Sequence, residues 1–259
     1  MTEPLNTLYS RRAVLEFWGG STSLIGLDAQ YNQEPLFVAE QFLLDNGQQL
    51  GRLHEYLESG LLPALRSAVG GRQLVLEAVV SAHQPQILFL QEFANLEAWR
   101  ATGKQLASDS ALLAKLRAWE SSGEPYSQRN LAIYASPHYQ SQQAIPTDKP
   151  LYELRTYQAP SMWQANGLHE RFAGPEIPIF HRCGIHPALY LSGIAGAQLP
   201  NLTYLTPFAS LAEREAAWTK FQADPEWLRV KQDSVDKHGY TPRVINIALY
   251  KLAPYSIAT

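Results

Sequence analysis

The chain repeats itself. Leu53-His54-Glu55 returns 115 positions later as Leu168-His169-Glu170, and Pro63 returns at the same offset as Pro178. Phe93-Ala94-Asn95-Leu96 returns as Phe208-Ala209-Ser210-Leu211, again 115 positions on. Asn130-Leu-Ala-Ile-Tyr134 then returns as Asn246-Ile-Ala-Leu-Tyr250, at an offset of 116. A register kept over that length, with one inserted residue, marks two copies of one module, so the working unit is expected to be a paired one.

The second copy is the easier to read. Residues 151–157 alternate and are rich in strand formers, which predicts a strand. Pro160 ends it, and residues 162–183 read as a helix with Leu168, Phe172, Ile179 and Phe180 at helical spacing. Pro175 and Pro178 kink or divide that helix, and Gly184 is placed to end it in a left-handed cap. Residues 187–193 and 199–207 predict two further strands. Ser210 is a good N-cap, with Glu213 completing a capping box, for a helix that carries Ala216, Ala217 and Phe221 inward. It stops near Asp224-Pro225 and resumes through Trp227, and residues 244–250 form the closing strand.

The first copy gives the same order, with strands at 36–44, 73–81, 86–93 and 130–136 and helices at 48–69 and 96–120. Strand-helix-strand-strand-helix-strand is the split unit of ferredoxin-like folds. Such a sheet carries helices on one face only, and pairing with a second sheet covers the other. The expected class is therefore α+β: two tandem ferredoxin-like modules with their sheets paired as an α/β barrel, within one chain or across a dimer. Residues 1–33 stand outside the repeat, 34–139 and 151–259 are the modules, and 140–150 is a polar linker bounded by Pro146 and Pro150.

Composition narrows the function. The 259 residues suffice for two cores, and 46% are hydrophobic. A net charge of −3 without a Lys/Arg stripe offers no field for gathering phosphates, so no nucleic-acid partner is expected. The single Cys183 excludes an internal disulfide framework. No run reaches the ~18 apolar residues of a membrane span. Ser10-Arg11-Arg12-Ala13-Val14-Leu15-Glu16 is similar to a twin-arginine export signal, with Glu16 and Asp28 intrusive and Val14 in place of the usual Phe. Export is the favoured expectation. The alternative is a cytoplasmic protein whose N-terminal arm packs Val14, Leu15, Phe17 and Trp18 on the body.

Tyr152-Glu-Leu-Arg-Thr-Tyr157, Pro178-Ile-Phe180 with Gly184, Leu199-Pro-Asn-Leu-Thr-Tyr204 and Ala223-Asp-Pro-Glu-Trp227 make the second copy resemble the NIPSNAP family. The likeness spans residues 151–256. The first copy follows only in pattern: it lacks the Asp-Pro-Glu-Trp run and has Val38 and Glu40 where the second has Glu153 and Arg155. The resemblance implies a dimeric α/β-barrel fold, shared with small cofactor-free monooxygenases and haem-binding barrels, and no settled reaction. It also implies that two-copy bacterial members often begin with a twin-arginine signal.

Alternation puts Glu153, Arg155 and Tyr157 on one face of their strand and Leu154 and Thr156 on the other. If Leu154 meets the helices, the Glu-Arg-Tyr face looks into the barrel, where Tyr204 can join it. A carboxylate beside a guanidinium can hold an anionic or carbonyl-bearing ligand, and a phenol can donate a proton. The plainer alternative is an internal ion pair that orders the interface and binds nothing. Glu40 aligns with Arg155 across the repeat, so facing sheets would bring the two together, with Glu153 as the other candidate partner.

His169, with His54 as counterpart, is a candidate base or haem ligand, against a helix-surface histidine kept by shared descent. No further haem signature accompanies it, and no cofactor is expected. His181-x-Cys183-x-x-His186 has metal-like spacing, but Gly184 ends the helix between its members, so no metal site is assigned. The tryptophans, Trp218 and Trp227 among them, read as core or interface anchors, and Glu213-Arg-Glu215 as a solvated helix face. Asn201-Leu-Thr203 matches a glycosylation sequon, which carries little weight in an extended stretch. Nucleophile-elbow, phosphate-loop and dinucleotide fingerprints are absent.

The expected function is thus a barrel protein that binds a small molecule and self-associates through its sheet faces, with any activity unassigned. A cofactor-free oxygenase or isomerase using Tyr157, Tyr204 and Arg155 is one rival. A structural module with a side-chain-filled interior is the other.

Overall fold

A computed structural model describes residues 35–139, 144–239 and 242–259; the twin-arginine-like stretch at 10–16 lies outside them. Each copy contributes four strands: β1 Leu36–Leu43, β2 Gln73–Val80, β3 Gln86–Phe93 and β4 Gln128–Ala135 from the first, β5 Leu151–Gln158, β6 Leu189–Ala195, β7 Asn201–Phe208 and β8 Val244–Leu252 from the second. They form one closed antiparallel barrel in the order β1-β3-β2-β8-β5-β7-β6-β4. The two copies share a register: Leu36 lies opposite Phe93 in β1–β3, and Leu151 lies opposite Phe208 in β5–β7. The sheets do more than face one another. Their edges hydrogen-bond along β2–β8 and β4–β6, each seam with one irregularity, which leaves no free sheet edge.

The lumen is filled. All eight strands send apolar side chains into it, among them Phe37, Leu76, Leu90, Tyr134, Tyr152, Leu189, Leu205 and Tyr250. The helices cover the outside of the barrel. In the first copy these are α1 Gln49–Tyr56, α2 Leu62–Ala68, α3 Leu96–Leu106 and α4 Ser110–Ser121. In the second they are α5 Met162–Arg171, α6 Ile177–Cys183, α7 Leu211–Gln222 and α8 Pro225–His238.

A π-helical turn, Leu57–Leu61, joins α1 to α2, and another, Phe172–Glu176, joins α5 to α6 at the same place in the repeat. The second contains Pro175 and a non-helical Gly174 at φ −101, ψ −115. Gly184 ends α6 at φ 90, where the lack of a Cβ makes the left-handed conformation accessible. Ser210 caps α7 through its side chain, whereas Glu213 reaches back to the amide of Ala209.

Two expectations need correction. The single helix at 96–120 is two, because Asp109 accepts from the amides of Ala111 and Leu112 and starts a new helix. Ala216 is exposed; Ala217, Trp218 and Phe221 form the inward face of α7.

Candidate functional site in the second copy

Strand β5 carries the site, facing opposite to the expectation. Tyr152 and Leu154 point into the lumen, while Tyr157 packs with Leu168, Phe172 and Phe180 under the helices. Glu153, Arg155 and Tyr157 therefore face the helix layer on the outside of the barrel. The cause lies in barrel closure: Tyr152 and Leu154 supply the bulk that a dry lumen requires, and the ionic face meets a layer with polar partners.

Glu153 is fully buried, and its two carboxylate oxygens are held by different guanidinium groups. Arg155 Nε donates to Oε1 at 2.5 Å, and Arg214 Nε donates to Oε2. Arg214, expected on a solvated face, is instead largely buried and closes this ion cluster. Its helix position gave no sign of that, because the carboxylate it meets is 61 residues away in sequence. Arg155 is stacked over Trp218, with Cζ 3.4 Å from the ring centroid. The Tyr204 hydroxyl donates to the Tyr157 hydroxyl at 2.7 Å. Burial drives both phenols above their ordinary pKa, Tyr204 strongly, so both are neutral donors.

A second buried pair comes from the π-helical turn. Arg171 Nε donates to Glu176 Oε2 at 2.5 Å, an Arg171 NH reaches Ser234, and the guanidinium lies 5.2 Å from the Trp227 ring. Glu176 Oε1 is buried without a hydrogen-bond partner. Burial raises the Glu176 pKa against the opposing pull of Arg171.

These groups surround a cavity of about 440 Å³ between β5 and helices α7 and α8. Arg155, Tyr157, Arg171, Glu176, Trp218 and Trp227 line it. Leu228 and Ile245, 52% and 46% exposed, mark its mouth; the buried Glu176 and Tyr157 mark its floor. Trp218 and Trp227 are thus walls of the cavity as well as anchors. Among the described residues no group of three or more metal-ligating side chains occurs.

Two of the expected residues lie elsewhere. Glu40 takes Arg129, at 2.7 Å from Nε to Oε2, and lines a cavity of about 100 Å³ in the first copy. It cannot meet Arg155, since both residues point outward from the barrel beneath different helix layers. His169 sits on α5 with Nδ1 2.7 Å from the Tyr139 hydroxyl and Nε2 3.2 Å from Ser192 Oγ. It is linked to the site through the ring cluster Tyr139, Phe172, Tyr190 and Tyr204.

The first copy acts as an internal control. At the positions of Glu153, Tyr157, Arg171, Glu176 and Tyr204 it has Val38, Phe42, Tyr56, Leu61 and Phe89. Leu61 even closes an equivalent π-helical turn. The fold is built there without any of these charges, and buried ion pairs are weak stabilisers against apolar replacements. The polar set of the second copy is therefore not a requirement of the fold.

Residues 152–254 match the NIPSNAP family model. No curated protein matches the chain. Among solved structures, an anthrone oxidase-like protein superposes with a TM-score of 0.56 at 16% identity, covering 85% of this chain and 92% of its own. A candidate monooxygenase from Lactobacillus acidophilus NCFM gives 0.55 at 11% identity, covering 87% and 99%. A third, from Fusobacterium nucleatum subsp. nucleatum, gives 0.53 at 8% identity, covering 85% and 92%. At these identities the likeness is one of fold, and the fold is the dimeric α/β barrel, formed here within one chain. The match to the NIPSNAP model falls within the second copy of that barrel.

Proposed function

We propose that the second copy binds a flat aromatic small molecule bearing an anionic or carbonyl oxygen, in the cavity outside the barrel rather than in its lumen. The observation that carries this reading is the contrast between the copies. Buried Arg155, Arg171, Glu176 and Tyr157 line about 440 Å³ in one, whereas the other has a cavity of about 100 Å³ lined by only two of their counterparts, Glu40 and Leu61. The larger volume falls in the usual range of small-ligand sites. Trp218 and Trp227 offer ring faces, and Arg155 offers a planar donor fork to an oxyanion.

Titration calorimetry with 1-naphthoate, an aromatic carboxylate, tests the reading. Saturable binding that Arg155→Met weakens at least tenfold is expected. Equal binding by wild type and variant would overturn it. Mass spectrometry of material co-purified with the protein then identifies the natural ligand.

A further inference from the structure

We infer that Glu176 is a proton-transfer group acting on an aromatic carbonyl acid held in this cavity, a reaction of the keto–enol class. The inference rests on the binding reading above. Glu176 is the one carboxylate among the residues lining the cavity. Its Oε2 is fixed by Arg171 Nε at 2.5 Å, which leaves the carboxyl one free oxygen, Oε1, buried and unpartnered. A free acceptor in a dry site is costly unless something supplies a proton to it. The residue closes a π-helical turn distorted at Gly174, and such turns are frequent at functional sites. The equivalent turn in the first copy ends in Leu61, so the turn itself does not call for a carboxylate. Burial also makes Glu176 a stronger base than an ordinary glutamate, which suits it to accepting a proton.

The step is balanced without a co-reactant. Oε1 takes a proton from the carbon beside the ligand's carbonyl, and the electron pair left behind moves onto the carbonyl oxygen. The enolate so formed is stabilised by the cationic wall of the cavity, where Arg155 stands. Return of the proton from Glu176 to oxygen or carbon gives the enol or restores the ketone, and the carboxylate is regenerated.

Phenylpyruvate supplies an aromatic ring, a carboxylate and an acidic benzylic C–H, and its benzylic hydrogens exchange in D2O in a way that NMR follows directly. Wild-type protein should accelerate that exchange over buffer. Glu176→Gln should lose the acceleration by about 10²-fold or more while still binding phenylpyruvate in calorimetry. Glu176→Asp, which retracts the carboxyl by one methylene, provides a second variant if the first does not fold, and should also lose most of the rate. Binding by wild type with exchange only at the buffer rate overturns this inference and leaves the binding reading standing. Full exchange activity in either variant overturns it as well. Failure of wild type to bind phenylpyruvate and 1-naphthoate alike overturns both.

Discussion

The hydroxyl of Tyr139, beyond the last strand of the first copy, lies 2.7 Å from Nδ1 of His169 in the second. The relationship is reciprocated. Tyr255, beyond the last strand of the second copy, lies 2.5 Å from Nδ1 of His54 in the first. The tyrosines stand 116 positions apart and the histidines 115, so this is one contact written twice and exchanged between modules. Each copy's exit segment clasps the other copy's first helix. The tail around Tyr255 goes further, pairing Ile257 with Gln73 and accepting from Arg66 at the Tyr255 carbonyl.

The clasps should be unequal in strength. Replacing either tyrosine by Phe strands a histidine nitrogen, at about 1–3 kcal/mol if the group stays dry. His54 is 23% exposed at its side chain and also meets Glu77, so water can serve it once Tyr255 is gone. His169 lies among the rings of Tyr139 and its neighbours and has Ser192 as its other partner. Tyr139→Phe should therefore lower the denaturation midpoint more than Tyr255→Phe. The reverse order would remove the clasp as an account of how the copies are held.

Acid should act through the same histidine. Burial, with His138 nearby, lowers the His169 pKa from its ordinary 6.5. Above 6.5 the ring is neutral in folded and unfolded chains alike, and contributes no pH dependence. As pH falls below 6.5 the unfolded chain takes up a proton that the folded one refuses, so stability is lost down to the folded pKa. Glu176 works in the opposite sense, since its raised pKa adds stability as it protonates on acidification. The difference between wild type and His169→Gln isolates the histidine. The variant's midpoint should fall less steeply with acid between neutrality and the folded pKa, and parallel curves would refute the assignment.

Arg155 and Arg214 share one carboxylate, which sets what each substitution does. With Glu153 clamped from both sides, Arg155→Met leaves Arg214 in place. The expected loss is about 1–3 kcal/mol, the scale of one buried charged hydrogen bond. Replacing both arginines leaves the carboxylate buried and uncompensated, at about 3–5 kcal/mol or more. Urea midpoints of the two single variants and the double variant measure this directly. A double loss no larger than the sum of the single losses would show that neither arginine compensates for the absence of the other.

The fold was legible because it is written twice. Periodicity placed the strands to within a residue or two, and the repeat showed that two one-faced sheets had to be paired. The side of β5 that meets the helices was not legible. Glu153-Leu154-Arg155 alternates equally well in either sense, and only the demand of a closed lumen for Tyr152 and Leu154 decides it. Arg155 next to Glu153 followed from the cost of burying a lone guanidinium. Glu40 did not, because alignment across a repeat gives equivalent places rather than contacting ones. Arg171 and Glu176 have no local pattern to mark them, and Arg214 reads from its neighbours as part of a solvated helix face. Comparing the copies position by position, Glu176 against Leu61 and Arg171 against Tyr56, is the signal that finds the first two.

The phenol pair shows how that comparison becomes a measurement. Tyr204 donates to Tyr157 at 2.7 Å within a layer that excludes water. Tyr204→Phe removes the donor and leaves the Tyr157 oxygen without it, which should cost about 1–2 kcal/mol. Tyr157→Phe leaves the Tyr204 hydroxyl with no acceptor and should cost a similar amount. The first copy already has Phe42 and Phe89 at these two places and packs both in its core. Replacing both tyrosines together removes donor and acceptor while keeping both rings, so the double variant should be close to wild type in stability. A double-mutant cycle on chemical-denaturation midpoints then gives a coupling equal to the sum of the single losses, about 2–4 kcal/mol. Tyr157 also lines the cavity, so the same double variant should bind 1-naphthoate less tightly even though it folds as well as wild type. A double variant that loses the sum of the single effects would mean that the phenols hold the second copy together rather than serve its cavity.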